Sequence, residues 1–196
     1  RHDAEVRAGR WSTGVLAPMH RLRGGTLGLV GYGRIARMTH AMFAGFGFAR
    51  VLVHDHHDEL PAGVEPADVD TVCREADIVS LHVPLTAETH HLIDARRLAL
   101  MKPHAILVNT ARGGLVDLDA LADALAAGRL AGAGLDVFEH EPPDPKHPLF
   151  ARDDVIVTNH IGWYSEESMR DLQRKAAEEA VRVLRGQPPR HWLNPW

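Results

Sequence analysis

Cysteine is all but absent: Cys73 stands alone among 196 residues. A single thiol cannot close an internal disulfide, so stability has to come from a packed core, and a reducing compartment is expected. An excess of positive charge is missing as well. The 22 Lys and Arg are outnumbered by 26 Asp and Glu, for a formal net charge of -4. Without a basic footprint, neither nucleic-acid phosphates nor anionic lipid is an expected partner. No apolar run approaches the ~18 residues of a membrane span, and R1-H-D-A-E does not read as a signal peptide. The expected location is cytoplasmic. Internal repeats, heptad arrays and low-complexity tracts are also lacking, which removes solenoids and coiled coils.

What is present reads as one globular domain. Hydrophobic residues make up 45% and charged residues 24%, ordinary values for a folded chain long enough to bury a core. Six apolar, β-branched runs predict buried strands: 26–31, 50–55, 78–83, 105–110, 132–138 and 155–158. They show little polar alternation, as expected of strands covered on both faces. Helical stretches fall between them at 35–46, 94–101, 117–128 and 165–186, the last two ending on Gly128 and Gly186. Strand alternating with helix implies parallel pairing with right-handed crossovers, hence an α/β fold with a doubly wound sheet.

The first strand runs directly into G31-Y-G-R-I-A36. Gly31 permits a tight strand-to-helix turn, and Gly33 allows backbone to approach a pyrophosphate. The following helix would present free N–H groups and its positive end, while Ala36 takes the third fingerprint position. A second strand ends at Asp55, 24 positions beyond Gly31. Its carboxylate is placed to accept hydrogen bonds from an adenosine ribose and would repel a 2′-phosphate, so NAD is expected rather than NADP. The alternative is a solvated turn acid. The surrounding H54-D-H-H-D58 invites thought of a metal, but neighbouring strand-end residues diverge, and no metal is expected.

Three further segments carry candidate chemistry, each just past a predicted strand. Arg112 lies in N109-T-A-R-G-G, Glu141 in G134-L-D-V-F-E-H-E, and His160 in T158-N-H-I-G. Separately they could be a surface cation, a loop acid and a packed core imidazole. In an open α/β sheet, however, ligands sit outside the carboxyl ends of the strands, which would converge all three on the cofactor.

At this level of detail the chain resembles the D-isomer-specific 2-hydroxyacid dehydrogenases. The stretches that carry the resemblance are L27-G-L-V-G-Y-G-R-I, H82-V-P-L-T-A-E-T-H-H-L-I93, 101–117, 128–143 and T158-N-H-I-G162. The resemblance implies a Rossmann domain binding NAD in an oxidoreductase that moves hydride between nicotinamide and a D-2-hydroxy acid or 2-keto acid. It implies that Arg112, Glu141 and His160 are catalytic. An imidazole with an unperturbed pKa of about 6.5 can take the hydroxyl proton or return it. By the same resemblance Glu141 pairs with that ring, which would orient it and favour its protonated form. A guanidinium such as Arg112 can grip a carboxylate in a fork and polarise the carbonyl. Arg34 and Ile35 would meet the pyrophosphate together with Gly31 and Gly33. Val83, Pro84 and Thr89 would border the adenosine end, with Thr110, Ala111 and Asp136 at the nicotinamide end beside Arg112 and His160.

Three departures qualify the resemblance. Asn159 stands where the family usually has proline, freeing the backbone before the histidine. Trp163 replaces the usual glycine, and H160-I-G-W-Y-S-E166 resembles the C-terminal-binding-protein branch, corepressors that retain the fold and bind NAD. Trp163 is accordingly expected to line the substrate pocket, or else to pack the base of the last helix. The substrate lobe of the family has no counterpart here. Residues 1–25 read as a linker helix and dimerisation arm, 26–186 as the dinucleotide-binding domain, and 187–196 as a tail returning toward the missing lobe. A homodimer is expected, and turnover by this piece alone should be weak or absent because its site would lack water exclusion. The alternatives are a corepressor-like NAD sensor and an inert NAD-binding remnant.

Overall fold

The computed structural model describes residues 2–11, 20–56 and 60–190. Most of the expected dimerisation arm, His57, Asp58 and the end of the tail therefore lie outside the described residues. Helix α1 (His2–Arg7) precedes the strands β1 (Thr26–Val30), β2 (Arg50–His54), β3 (Glu65–Pro66), β4 (Ile78–Leu81), β5 (Ile106–Asn109), β6 (Gly132–Leu135) and β7 (Val155–Val157). Among the described residues these form one sheet in the order β3-β2-β1-β4-β5-β6-β7, and every pairing is parallel. Helices α2 (Arg34–Phe43), α3 (Val69–Glu75), α4 (Ala95–Leu98) and α5 (Leu118–Ala126) lie between strands, and α6 (Glu166–Leu184) follows the last.

The structure resolves into two compact units, residues 1–159 and 160–196. In the first, the period-2 alternation of strand side chains divides the core between the faces of the sheet. Leu27 and Leu29 of β1, Val51 and Val53 of β2 and Ile78 of β4 gather with Tyr32 and Ala36. Val30, Leu52, Val79, Leu81 and Leu107 instead join Val72 and Cys73 of α3 and Leu121 and Leu125 of α5. Both sides of the central strands are thus covered, which is why their sequences show no polar stripe. Burial also pushes the Cys73 thiol up to about 12, so it behaves as a small apolar side chain rather than a nucleophile.

Two elements were not anticipated from the sequence. Strand β3 is only two residues long and contains proline, tolerable at a sheet edge where one side needs no donor. Helix α3 is short; Asp68 caps it by accepting a hydrogen bond from the Thr71 N–H at 2.6 Å. The predicted strands were also longer than those observed, because their last residues leave the ladder and form the loops of the ligand edge.

The second unit is built on α6. Ser165 caps it, its hydroxyl oxygen accepting from the Ser168 N–H at 3.1 Å, and Glu166 and Glu167 occupy the first turn. Within the described residues of this unit, Leu172, Val181 and Leu184 are exposed.

Gly28 sets the spacing between β1 and α3. A Cβ there would stand 2.6 Å from Val72 Cγ1 and 2.8 Å from Ala76 Cβ, and the second of these is fixed to the backbone. Gly28→Ala should therefore cost about 1–3 kcal/mol through overpacking. Urea unfolding checks this; an unchanged midpoint would show that α3 does not bear on β1 so closely.

Candidate cofactor and active site

Parallel pairing puts the carboxyl ends of all the strands on one edge, and the loops that leave them carry most of the expected site residues. β1 lies between β2 and β4, so the loops after β1 and β4 depart to opposite sides and open a crevice between them. Gly31 occupies that point. Its φ of +91° lies in the left-handed region, and a Cβ would come within 2.8 Å of the His82 carbonyl carbon and 2.9 Å of the Val83 nitrogen. Glycine is required there by both conformation and space. The turn is held by the Gly31 N–H, which donates to the His54 carbonyl at 2.7 Å, and by the Tyr32 N–H, which donates to Asp55 Oδ2.

Gly33 is different. Its φ is -72°, and a Cβ there would meet nothing within 4 Å. Nothing within the described structure requires a glycine at this position, so the open space over its backbone suits close approach by a ligand. Gly33 also caps α2 without a side-chain acceptor, whereas Asp68, Asp94, Asp117 and Ser165 cap α3 to α6 with side-chain oxygens. The first N–H groups of α2 are left for an external anion. Arg34 and Ile35, at the start of this helix, are both exposed. Ala36 is fully buried in the core beside β1, which explains the small residue at that position.

Val83 and Thr89, expected at the adenosine end, line a cleft of about 410 Å³ together with His54, His56, Val69 and Leu92. Thr89 ties its loop: its hydroxyl donates to the Pro84 carbonyl at 2.7 Å and accepts from the Thr86 N–H at 2.7 Å. His82, at the mouth of β4, contacts the Ser80 hydroxyl at 3.0 Å, and burial holds its pKa below the usual imidazole value.

Arg112 follows β5 and is exposed, its Nη1 donating to the Ala111 carbonyl at 2.6 Å. The segment 110–112 is positioned by Asn109, a residue that sequence reasoning passed over. Asn109 is fully buried; its Nδ2 donates to the Arg112 carbonyl at 2.9 Å, and its Oδ1 accepts from the Ala111 N–H at 3.0 Å. Gly113 brings the same segment against the chain that leaves β6, since a Cβ would lie only 1.9 Å from the Phe138 carbonyl carbon. The consecutive glycines after Arg112 were the available signal for this close approach. Three residues past Phe138 lies Glu141, whose Oε1 accepts from the Phe138 N–H at 2.9 Å. Asp136 is buried, and its Oδ1 accepts from the Thr158 hydroxyl at 2.5 Å.

The loops that carry Arg112 and Glu141 are thus adjacent within the first unit. His160 opens the second unit with a φ of +59°. The Trp163 indole N–H donates to the His160 carbonyl at 3.0 Å, and Trp163 is exposed.

Comparison with known proteins bears on this arrangement. Residues 1–162 match the family model described as "D-isomer specific 2-hydroxyacid dehydrogenase, NAD binding domain". Glyoxylate reductase of Thermococcus litoralis is 39% identical over 203 residues, covering 98% of this chain and 60% of that protein. The crystal structure of D-lactate dehydrogenase with NAD+ from Lactobacillus jensenii superposes with a TM-score of 0.89 at 31% identity, covering 98% of this chain and 62% of that one. An acyclic imino acid reductase (Bsp5) in complex with NADPH and D-Arg gives a TM-score of 0.85 at 29% identity, covering 95% and 60%. The chain spans about 60% of the length of the curated relatives it matches. Among its described residues no helix is long and apolar enough to cross a membrane.

Removing the Asn109 side chain would take the acceptor from the Ala111 N–H and one donor from the Arg112 carbonyl, to which the Leu115 N–H at 3.2 Å remains. Asn109→Ala should destabilise the protein by about 1–3 kcal/mol and make the 110–112 amides exchange faster. Hydrogen-exchange mass spectrometry reads the second effect, and unaltered protection would mean that Asn109 does not hold the loop.

Proposed function

The chain belongs to the D-isomer-specific 2-hydroxyacid dehydrogenases, matching their NAD-binding domain, and on that footing we propose that it serves an enzyme interconverting a 2-hydroxy acid and a 2-keto acid. The observation that carries the proposal is the contrast at the glycine turn. Gly31 is demanded by the fold, while Gly33 and the uncapped start of α2 are left open toward the crevice. A diphosphate fits that cradle: the α2 N–H groups would donate hydrogen bonds to it, with Arg34 and Ile35 beside it.

Asp55 is proposed as the ribose partner, which favours NAD over NADP. The cleft lined by Val83 and Thr89 would take the adenosine end, next to Pro84. Thr110, Ala111 and Asp136 would border the nicotinamide end. When bound, the nicotinamide supplies or accepts the hydride. For the substrate we assign three roles. Arg112 binds the carboxylate and polarises the C2 carbonyl. His160 removes the proton of the C2 hydroxyl in oxidation and returns it in reduction. Glu141 orients that imidazole. Trp163 is proposed to border the substrate, where an indole suits an apolar or thioether-bearing side chain.

The names of the relatives favour a reductase over a corepressor-like sensor, and they direct attention to small 2-keto acids. A homodimer and a cytosolic setting complete the proposal, the latter in keeping with one buried thiol.

Three measurements test it. Gly33→Val should leave the thermal midpoint unchanged but weaken NADH binding at least about tenfold, some 1.4 kcal/mol. Equal affinity would remove the glycine turn from the site. In the full-length protein, a panel including glyoxylate and pyruvate should support NADH oxidation that His160→Ala abolishes with little loss of NADH affinity. Asp55→Asn, which keeps an acceptor for the Tyr32 N–H, should narrow the preference for NADH over NADPH. NADH binding without turnover on any 2-keto acid would defeat the enzymatic reading.

A further inference from the structure

His90 and His91 stand next to each other in sequence, yet their rings lie stacked, with centroids 4.0 Å apart and planes 23° from parallel. Adjacent side chains normally diverge. Here His91 has a φ of +48°, in the left-handed region, which is costly for a residue with a Cβ. The backbone fixes that conformation: the His91 N–H donates to the Gly114 carbonyl at 2.7 Å, and the His90 N–H to the Thr86 carbonyl at 3.0 Å. Both Nε2 atoms then face one carboxylate from beyond β6, at 3.0 Å from His90 to Glu139 Oε1 and 3.1 Å from His91 to Glu139 Oε2. The two imidazoles hold the Glu139 carboxyl below its usual range, His91 contributing most.

The three side chains remain 49%, 35% and 38% exposed. Surface pairs of that kind contribute little to stability, so the ion pairs alone give small return for a strained backbone. What the geometry does achieve is convergence. One ligand atom from each residue lies within 4.8 Å of the others. Bonds of about 2.0–2.2 Å to a tetrahedral ion would set donor atoms about 3.3 Å apart, close to the 3.0 and 3.1 Å between each Nε2 and the carboxylate. Two imidazoles and a carboxylate suit a borderline divalent ion, whereas magnesium and calcium prefer oxygen donors throughout.

We propose that His90, His91 and Glu139 form a site for a zinc-class divalent ion, bound through both Nε2 atoms and one carboxylate oxygen, with solvent in the remaining position. Glu139 as a carboxylate accepts a hydrogen bond from each Nε2 in the free protein. On binding, those nitrogens turn their lone pairs to the metal and the ring proton resides on Nδ1. The ion clips turn 86–92 to the stretch Phe138–Glu139. It thereby braces the segment that leads to Glu141, without entering the reaction.

Zinc titrated into untagged, metal-free protein, followed by calorimetry and by metal analysis after dialysis, decides the matter. One equivalent per chain is expected, raising the thermal midpoint. Cobalt in its place should give the visible absorption of a four-coordinate ion. Glu139→Gln and His91→Asn, the latter keeping a side chain that tolerates the left-handed region, should each weaken zinc at least about tenfold with unchanged circular dichroism. His56→Ala should leave zinc binding intact, and excess magnesium should not compete. No uptake, uptake indifferent to both substitutions, or uptake lost with His56→Ala would overturn the assignment. NADH affinity measured on the metal-free protein stands apart from these outcomes, so failure of the metal site leaves the nucleotide reading in place.

Discussion

Parallel pairing on both sides of β1 is the constraint on which the remainder rests. Because β2 and β4 both run alongside β1 in its own direction, the loops that follow all three emerge on one edge, and the chain must cross back over the sheet between strands. The crossing helices bury both faces, so the buried positions of the strands are apolar except for Thr26, Ser80 and Asn109. Chemistry is then possible only at the edges. At the carboxyl edge, the switch in direction beside β1 opens space that no crossing connection fills.

Glycines convert that general layout into specific distances. Gly28 lets α3 settle onto β1, Gly31 presses the first loop against the end of β4, and Gly113 presses the Arg112 loop against the chain after β6. In each case a methyl group would collide with atoms that have nowhere to go. Gly33 belongs to another class, since the space beside it is open. The same residue type thus serves internal packing at Gly28, Gly31 and Gly113, while at Gly33 it leaves open space over the backbone.

Polar side chains then hold the loops that packing alone would leave loose. Asn109, fully buried, replaces a strand partner for Ala111 and Arg112. Thr89 closes the loop after β4 on Pro84, and Asp136 is anchored by Thr158. Each of these groups is satisfied within the protein. Their cost of burial is offset, and Arg112 beside them stays exposed, its Nη1 on the Ala111 carbonyl.

Much of this was legible in the residues themselves. The apolar runs announced central strands, Asp117 and Gly128 bounded α5 and Ser165 and Gly186 bounded α6, and G31-Y-G-R-I-A36 located the turn, because these signals depend on neighbours a few positions away. β3 and α3 escaped notice, one too short and proline-bearing, the other too brief for periodicity to register. Asn109 escaped because burial of a lone amide is invisible without the sheet around it. His90 and His91 could be read only as consecutive histidines, since their partner Glu139 comes 48 positions after His91. Sequence by itself therefore determined the order of elements, their covered faces and the position of the glycine turn, all consequences of local stereochemistry and hydrophobic pattern. Only the tertiary structure decided which glycine the fold needs and which it leaves open, how the Arg112 loop is held, and where two imidazoles meet a carboxylate. Those depend on distances between segments remote in the chain, which no local preference encodes.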